Sequence, residues 1–278
     1  MKKFLAIVLA IVCVFAVIGC AKDETVDTPV VEDDNNVNTE VEAEPEVEGE
    51  DEVIPEVEPE VEAEPEAAVL TYDEYMAAEL ETEVVVEAYV QGKQSWWDNK
   101  VTVYAQDENG GYFFYELACS EEDAAKLEVG TKIRVTGFKG EWAGEDEVMD
   151  GTFEFVEADA FVAEPLDVTA LLGTDELVAH QNKLVAFKGL TVVSVEYKNG
   201  EPGDDIYVKV SDGNAEYDFC VERYLTDPET EVYKTVGTLV AGDVIDVEGF
   251  LYWYEGVNTH ITSVAVAAAD EASVEVAE

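Results

Sequence analysis

Leu127-Glu-Val-Gly-Thr-Lys-Ile-Arg-Val-Thr-Gly-Phe138 and Leu239-Val-Ala-Gly-Asp-Val-Ile-Asp-Val-Glu-Gly-Phe250 share the pattern L-x-x-G-x-x-I-x-V-x-G-F. The first glycine ends what precedes it, and the alternating Ile-x-Val then reads as a strand with one face buried. Both copies run into aromatics, Trp142 in the first and Tyr252, Trp253 and Tyr254 in the second. A turn-strand-glycine pattern of this length, found twice in otherwise diverged regions, marks one small β domain carried twice.

Working outward, each copy repeats an order of elements. In the first, Thr71 to Leu80 reads as a short helix and Glu83 to Val90 as a strand. After a loop from Gly92 to Asn99 come strands Val101 to Ala105 and Tyr112 to Ala118, joined by the turn Asp107-Glu-Asn-Gly-Gly111. Ser120-Glu-Glu-Asp123 opens a helix as a capping box does. Lys132 to Phe138 and Glu147 to Val156 complete the copy. The second copy gives a helix Thr174 to Gln181, strands Lys183 to Val193, Asp205 to Val210 and Glu216 to Glu222, and a helix starting near Thr226-Asp-Pro228. The motif strand and Thr259 to Val266 follow.

Three strands, a helix and two further strands resemble the OB-fold, a five-stranded Greek-key barrel with its helix between strands three and four. The resemblance covers residues 71 to 267, and it is to OB modules of secreted proteins and surface nucleases of Gram-positive bacteria. The expected class is all-β: a first OB-like domain over 67–165, a second over 166–268, and an acidic tail over 269–278. Paired immunoglobulin-like sandwiches would need about seven strands per copy and leave the mid-copy helix misplaced.

The resemblance implies ligand contact on strands two and three and on the loops joining strands one to two and four to five. Aromatics gather there. Trp96, Trp97, Asp98 and Asn99 fall in the first loop of copy one, and Trp142 where strand four enters its last loop. Tyr252, Trp253, Tyr254, Asn258 and His260 occupy the corresponding part of copy two. Such rings either stack on a base or sugar, or pack between the copies.

Asp107-Glu-Asn-Gly110 and Asp212-Gly-Asn214 offer oxygens of the kind calcium takes, but both sit at a hairpin position where these residues serve turn geometry. Glu141, Glu145, Asp146 and Glu147 lack the ordered spacing of a calcium loop. No cofactor is expected. Cys119 and Cys220 fall one per copy at different offsets and read as packed thiols. His180 and His260, the two histidines, accompany none of the familiar nucleophile, zinc-protease, phosphate-loop or dinucleotide patterns. The chain therefore reads as a non-enzyme.

At the N-terminus, Lys2 and Lys3 precede the apolar stretch Phe4 to Ile18, which closes on Val17-Ile-Gly-Cys20. About 15 apolar residues is short for a membrane span and suits a signal peptide. The close resembles the lipobox of bacterial lipoproteins, which implies a signal peptide over 1–19 and a diacylglyceryl- and palmitate-bearing Cys20 anchoring the mature protein outside the cytoplasm. Residues 22–66 carry 20 acids against one lysine and no aromatic, with Val41-Glu-Ala-Glu-Pro-Glu46 recurring at Val61 to Glu66. Such a stretch reads as a disordered acidic tether over 20–66, reaching on the order of 100 Å.

Of 65 acids, 45 lie beyond residue 66 against 12 lysines and arginines, a net charge of −33 on the globular part. That surface repels phosphate backbones, so nucleic acid is disfavoured unless Lys93, Lys100, Lys132, Arg134 and Lys139 converge on one face. The expected function is presentation of two OB-like modules to an envelope glycan, peptide or cationic protein. Oligonucleotide stacking is the alternative, and a purely structural or interaction module a third.

Overall fold

A computed structural model describes residues 68–267. The expected signal peptide, Cys20, the expected tether and the tail over 269–278 lie outside the described residues.

Helix α1 (Tyr72–Ala77) is capped by Thr71, whose hydroxyl accepts from the Glu74 amide while the Glu74 carboxylate accepts from the Thr71 amide. Strands β1 (Glu83–Lys93), β2 (Lys100–Gln106) and β3 (Gly111–Ala118) follow, then helix α2 (Glu121–Lys126) and strands β4 (Lys132–Trp142) and β5 (Glu145–Phe155). They close in the order β1-β2-β3-β5-β4, with β4 returning to β1. Only β3 and β5 run parallel. Barrel two opens with the short β6 (Leu166–Asp167), parallel to the edge of β7 (Leu184–Tyr197). Leu70 pairs in parallel with Val86 at the matching place in barrel one. Strands β8 (Ile206–Ser211) and β9 (Glu216–Val221), helix α3 (Glu231–Val236) and strands β10 (Val244–Phe250) and β11 (His260–Val266) complete it. The circuit is the same, β7-β8-β9-β11-β10 back to β7, again with one parallel pairing, β9 to β11. Both copies are OB barrels.

The repeated motif is explained position by position. Ile133 and Val135, like Ile245 and Val247, point into their barrel cores and are buried. Gly130 and Gly242 take φ of +91° and +98° in the turn before the strand, a conformation that penalises a Cβ. Gly137 and Gly249 lie beside register shifts, where a Cβ would come within 2.8 Å of the Met149 carbonyl oxygen and 2.2 Å of that of His260. The closing phenylalanines part company: Phe138 is 42% exposed, whereas Phe250 is 2% exposed.

Three expectations need correction. The stretch Thr174 to Gln181 forms no α-helix; it holds only the 3-10 turn Leu177–His180, and a second such turn, Thr169–Leu171, precedes it. Helix α3 begins not near Thr226-Asp-Pro228 but at Glu231, because Asp227 caps a separate turn and Thr230 caps the helix by accepting from the Tyr233 amide. The last loop of barrel one is only the two-residue turn Ala143-Gly144, with φ of 53° and 94°, because β4 and β5 stay paired out to Trp142 and Glu145.

Candidate ligand-binding cleft

On β2, Val101, Val103 and Ala105 face the barrel-one core, and on β3 Tyr112, Phe114 and Leu117 do so. Strand alternation sends Lys100, Thr102, Tyr104 and Gln106, with Phe113 and Tyr115, to the outer face where OB barrels receive ligands. Barrel two covers one half of that face.

In the covered half, Tyr104 stacks on Phe250 with ring centroids 4.5 Å apart, and Phe113 completes a small buried cluster with them. The Tyr104 hydroxyl lies 2.6 Å from His260 Nδ1. His260 stacks on Tyr252 at 4.3 Å, and Tyr252 meets Phe113 edge-on at 5.3 Å. Burial outweighs the opposing charge of Asp205 and holds His260 neutral, its pKa lowered to about 4. Gln106 Oε1 accepts from the Leu184 amide at 2.9 Å.

The β4–β5 tip is clamped beside this cluster. Gln181 Nε2 donates to the Gly144 carbonyl at 2.7 Å, Asn182 Nδ2 to the Asp146 carbonyl at 3.0 Å, and the Trp253 amide to Glu145 Oε2 at 2.7 Å. Glu145 is fully buried, and burial pushes its carboxyl up to about 9. A neutral carboxyl suits the site, because Glu145 Oε1 and Asn182 Oδ1 are both buried acceptors without a partner and a proton makes one a donor. Glu147, also buried, is pushed up to about 7.

The other half of the face is open. A cleft of about 320 Å³ is lined there by Gln94, Ser95, Trp97, Lys100, Val101, Thr102, Tyr115, Glu116 and, from barrel two, Tyr224. Three of its rings are presented to solvent: Trp97 is 76% exposed, Tyr224 50% and Tyr115 43%. Trp97 is held by a tight hairpin, its amide donating to the Lys100 carbonyl at 3.0 Å and the Lys100 amide donating back at 2.9 Å. Asp98 and Asn99, at φ of 47° and 60°, form the turn of that hairpin. Tyr115 and Glu116 reach the cleft together because of a bulge: Val101 pairs with Leu117 and Val103 with Phe114, so Thr102 faces two residues. Glu116 takes the extra place at φ of 51°, its amide donating to Thr102 Oγ1 and its carboxylate accepting from Lys100 Nζ at 2.7 Å.

The expected site residues therefore divide. Trp97 lines the open cleft. Trp96, its neighbour, points inward against the barrel-one core and donates from Nε1 to the Cys119 carbonyl at 3.1 Å. Asp98 and Asn99 make the turn. Tyr252 and His260 are spent on the junction, and Trp253 packs against the barrel-two core. Asn258 is half-buried, its amide donating to the Tyr252 carbonyl. Trp142 and Tyr254 remain exposed. Tyr115, Glu116 and Tyr224 were not anticipated: the bulge and the docking of a second barrel are tertiary features without a local signature.

Asp107 and Asp212 serve their hairpins, each Oδ1 accepting from two backbone amides of its own turn. Cys119 and Cys220 are free thiols. The five cations do not converge. Lys93 bonds the Ala124 carbonyl, Lys132 and Arg134 share Glu87, and Lys139 lies buried between the Met76 carbonyl and Asp146. The matching face of barrel two is differently furnished: it carries a Lys209–Asp218 ion pair at 2.8 Å and the exposed ring of Tyr207.

The class defined by these features is a tandem OB-barrel protein with an aromatic cleft on its first barrel. No family model and no curated protein matches the chain. Among solved structures, a murine DNA-binding protein bound to double-stranded DNA is similar over 68% of this chain and 99% of its own, at 13% identity and a TM-score of 0.35. The HINa domain of Ifi202 in complex with a 20-base-pair DNA matches over 68% and 96%, at 12% identity and a TM-score of 0.31. A replication protein A heterotrimer bound to single-stranded DNA matches over 68% and 50%, at 11% identity and a TM-score of 0.28. Likenesses this loose carry no argument about the ligand, and the barrel assignment rests on the strand circuit itself.

Proposed function

We propose that the chain is a non-enzymatic, extracytoplasmic lipoprotein, anchored through Cys20, that holds the two barrels off the membrane on its acidic tether and binds an envelope glycan in the cleft. The observation that carries this reading is the grouping of three solvent-presented rings, Trp97, Tyr115 and Tyr224, in one concave site. The apolar faces of sugar rings stack on such side chains, and the Gln94 amide, the Glu116 carboxylate and the Lys100 ammonium supply donors and acceptors for hydroxyls. Charge favours a neutral ligand. The globular part carries a net −33, and Lys100 is already paired with Glu116.

A second reading, stacking of a single-stranded oligonucleotide, is favoured by one observation: the cleft lies on the β1–β2 loop and the β2–β3 face, the place OB barrels use for such strands. Trp fluorescence of the full chain, titrated with β-1,4-linked N-acetylglucosamine tetrasaccharide and with oligo-dT, separates the two. The glycan reading predicts a saturable response to the saccharide that is indifferent to salt between about 50 and 200 mM. A response to oligo-dT alone that weakens over that range would replace it by the nucleic-acid reading.

A further inference from the structure

We infer that the cleft is a composite site whose second wall, Tyr224, is a specificity-determining residue supplied by barrel two, so that ligand binding and the docking of the two barrels are linked. This rests on the reading of the cleft as a site for a ring-bearing ligand. Tyr224 belongs to the segment between β9 and α3, yet its carbonyl accepts from the Ser95 amide at 2.7 Å and from Ser95 Oγ at 3.3 Å. Ser95 lies two residues before Trp97, so the two walls are joined through one backbone bond across the junction. On the barrel-two side the segment is fixed: the Leu225 amide donates to Glu222 Oε2 at 2.7 Å, and Thr226 Oγ1 donates to the Ile261 carbonyl at 3.1 Å. The Arg223 guanidinium lies over the Tyr224 ring at 4.9 Å.

The wall is also continuous with the sealed junction. Leu225, the next residue, packs against the cluster of Tyr104, Phe113 and Phe250. Any change in how Phe250 seats therefore passes to Tyr224 through one peptide, and through Ser95 to the Trp97 hairpin. A ligand held between Trp97 and Tyr224 binds the docked arrangement better than any splayed one, which by linkage makes docking tighter when ligand is present. A solitary first barrel would offer one wall where this chain offers two.

The test uses the full chain labelled with 5-fluorotryptophan, in the wild type and in Tyr224→Ala, Trp97→Ala and Phe250→Leu. The last keeps an apolar side chain in the junction at a position that does not line the cleft; circular dichroism checks that each variant is folded. Without ligand, the Trp97 fluorine resonance is expected to move in Tyr224→Ala and in Phe250→Leu. With the N-acetylglucosamine tetrasaccharide, and oligo-dT in parallel, affinity for whichever probe binds is expected to fall about tenfold in both Trp97→Ala and Tyr224→Ala. A severalfold fall is expected in Phe250→Leu. Loss of binding in Trp97→Ala with full affinity in Tyr224→Ala would overturn the composite site and leave the ring-binding reading standing. A wild type that binds neither probe, even where the Trp97 resonance moves in Tyr224→Ala and Phe250→Leu, would overturn the ring-binding reading itself, and the linkage with it.

Discussion

The outer face of β2 and β3 in barrel one is one surface with two fates. At Tyr104, Gln106 and Phe113 it is dry, stacked and hydrogen-bonded to barrel two. One turn of the pleat away, at Lys100, Tyr115 and Glu116, it is an open cleft. Both halves are aromatic, so ring content does not separate a packing surface from a ligand surface. What separates them is what stands opposite. The β10–β11 connection of barrel two reaches Tyr104, while the bulge at Glu116 turns Tyr115 and the carboxylate away from it. The same contrast appears between the two motif phenylalanines, exposed in barrel one and sealed in barrel two.

The comparison breaks most sharply at Phe250. Its replacement by alanine removes the ring stacked on Tyr104, and a loss of about 3–5 kcal/mol is expected, with thermal unfolding splitting into two steps as the barrels lose each other. A single transition at the wild-type temperature would show that the sealed half holds nothing together. Tyr104→Phe is the gentler cut. It keeps the stack but leaves His260 Nδ1 without its partner, and should cost roughly 1–3 kcal/mol in denaturant unfolding.

The junction also predicts a pH dependence. Glu145 has its folded pKa raised to about 9, so its contribution to stability is present in acid and is lost as pH rises toward 9. Glu147 and Glu222, raised to about 7, act in the same direction over a narrower window. His260, lowered to about 4, acts oppositely, withdrawing stability as pH falls from about 6.5 to 4. Above pH 6.5 only the carboxyls remain. Melting temperatures should therefore fall between about pH 6.5 and 9, and Glu145→Gln should remove roughly 1–3 kcal/mol of that decline while keeping an acceptor for the Trp253 amide. An unchanged slope in the variant would place the titrating group elsewhere. The smallest effect is expected in the open half: Glu116→Gly relieves a strained φ and removes an exposed ion pair, leaving the melting temperature nearly unmoved while saccharide affinity falls severalfold.

Much of the fold was legible because the motif encodes local requirements. Ile133, Val135, Ile245 and Val247 set the inward face of the fourth strand of each barrel, Gly130 and Gly242 its entry turn, and Gly137 and Gly249 the close approach of the last strand. The boundaries that went astray did so where local preference met tertiary demand. Thr174 to Gln181 has the composition of a helix but forms only the 3-10 turn Leu177–His180, and Ala143, an unusual turn residue, hid the β4–β5 hairpin. Of the candidate site, Trp97 was legible as a loop tryptophan. Its neighbour Trp96 differs from it only in which way the backbone faces. Tyr224 lies 127 residues away in the other copy, and nothing near it in the sequence points to Trp97.

Hydrogen exchange of the full chain, read by mass spectrometry with and without the N-acetylglucosamine tetrasaccharide, tests the division of this face most directly. Amides of 103–106 and 111–114 should already be protected in the free protein and should not change, while those of 95–100 and 115–117, with the segment around Tyr224, should gain protection when the saccharide is added. Free exchange at 103–106, or saccharide protection falling there and sparing 95–100, would contradict the account.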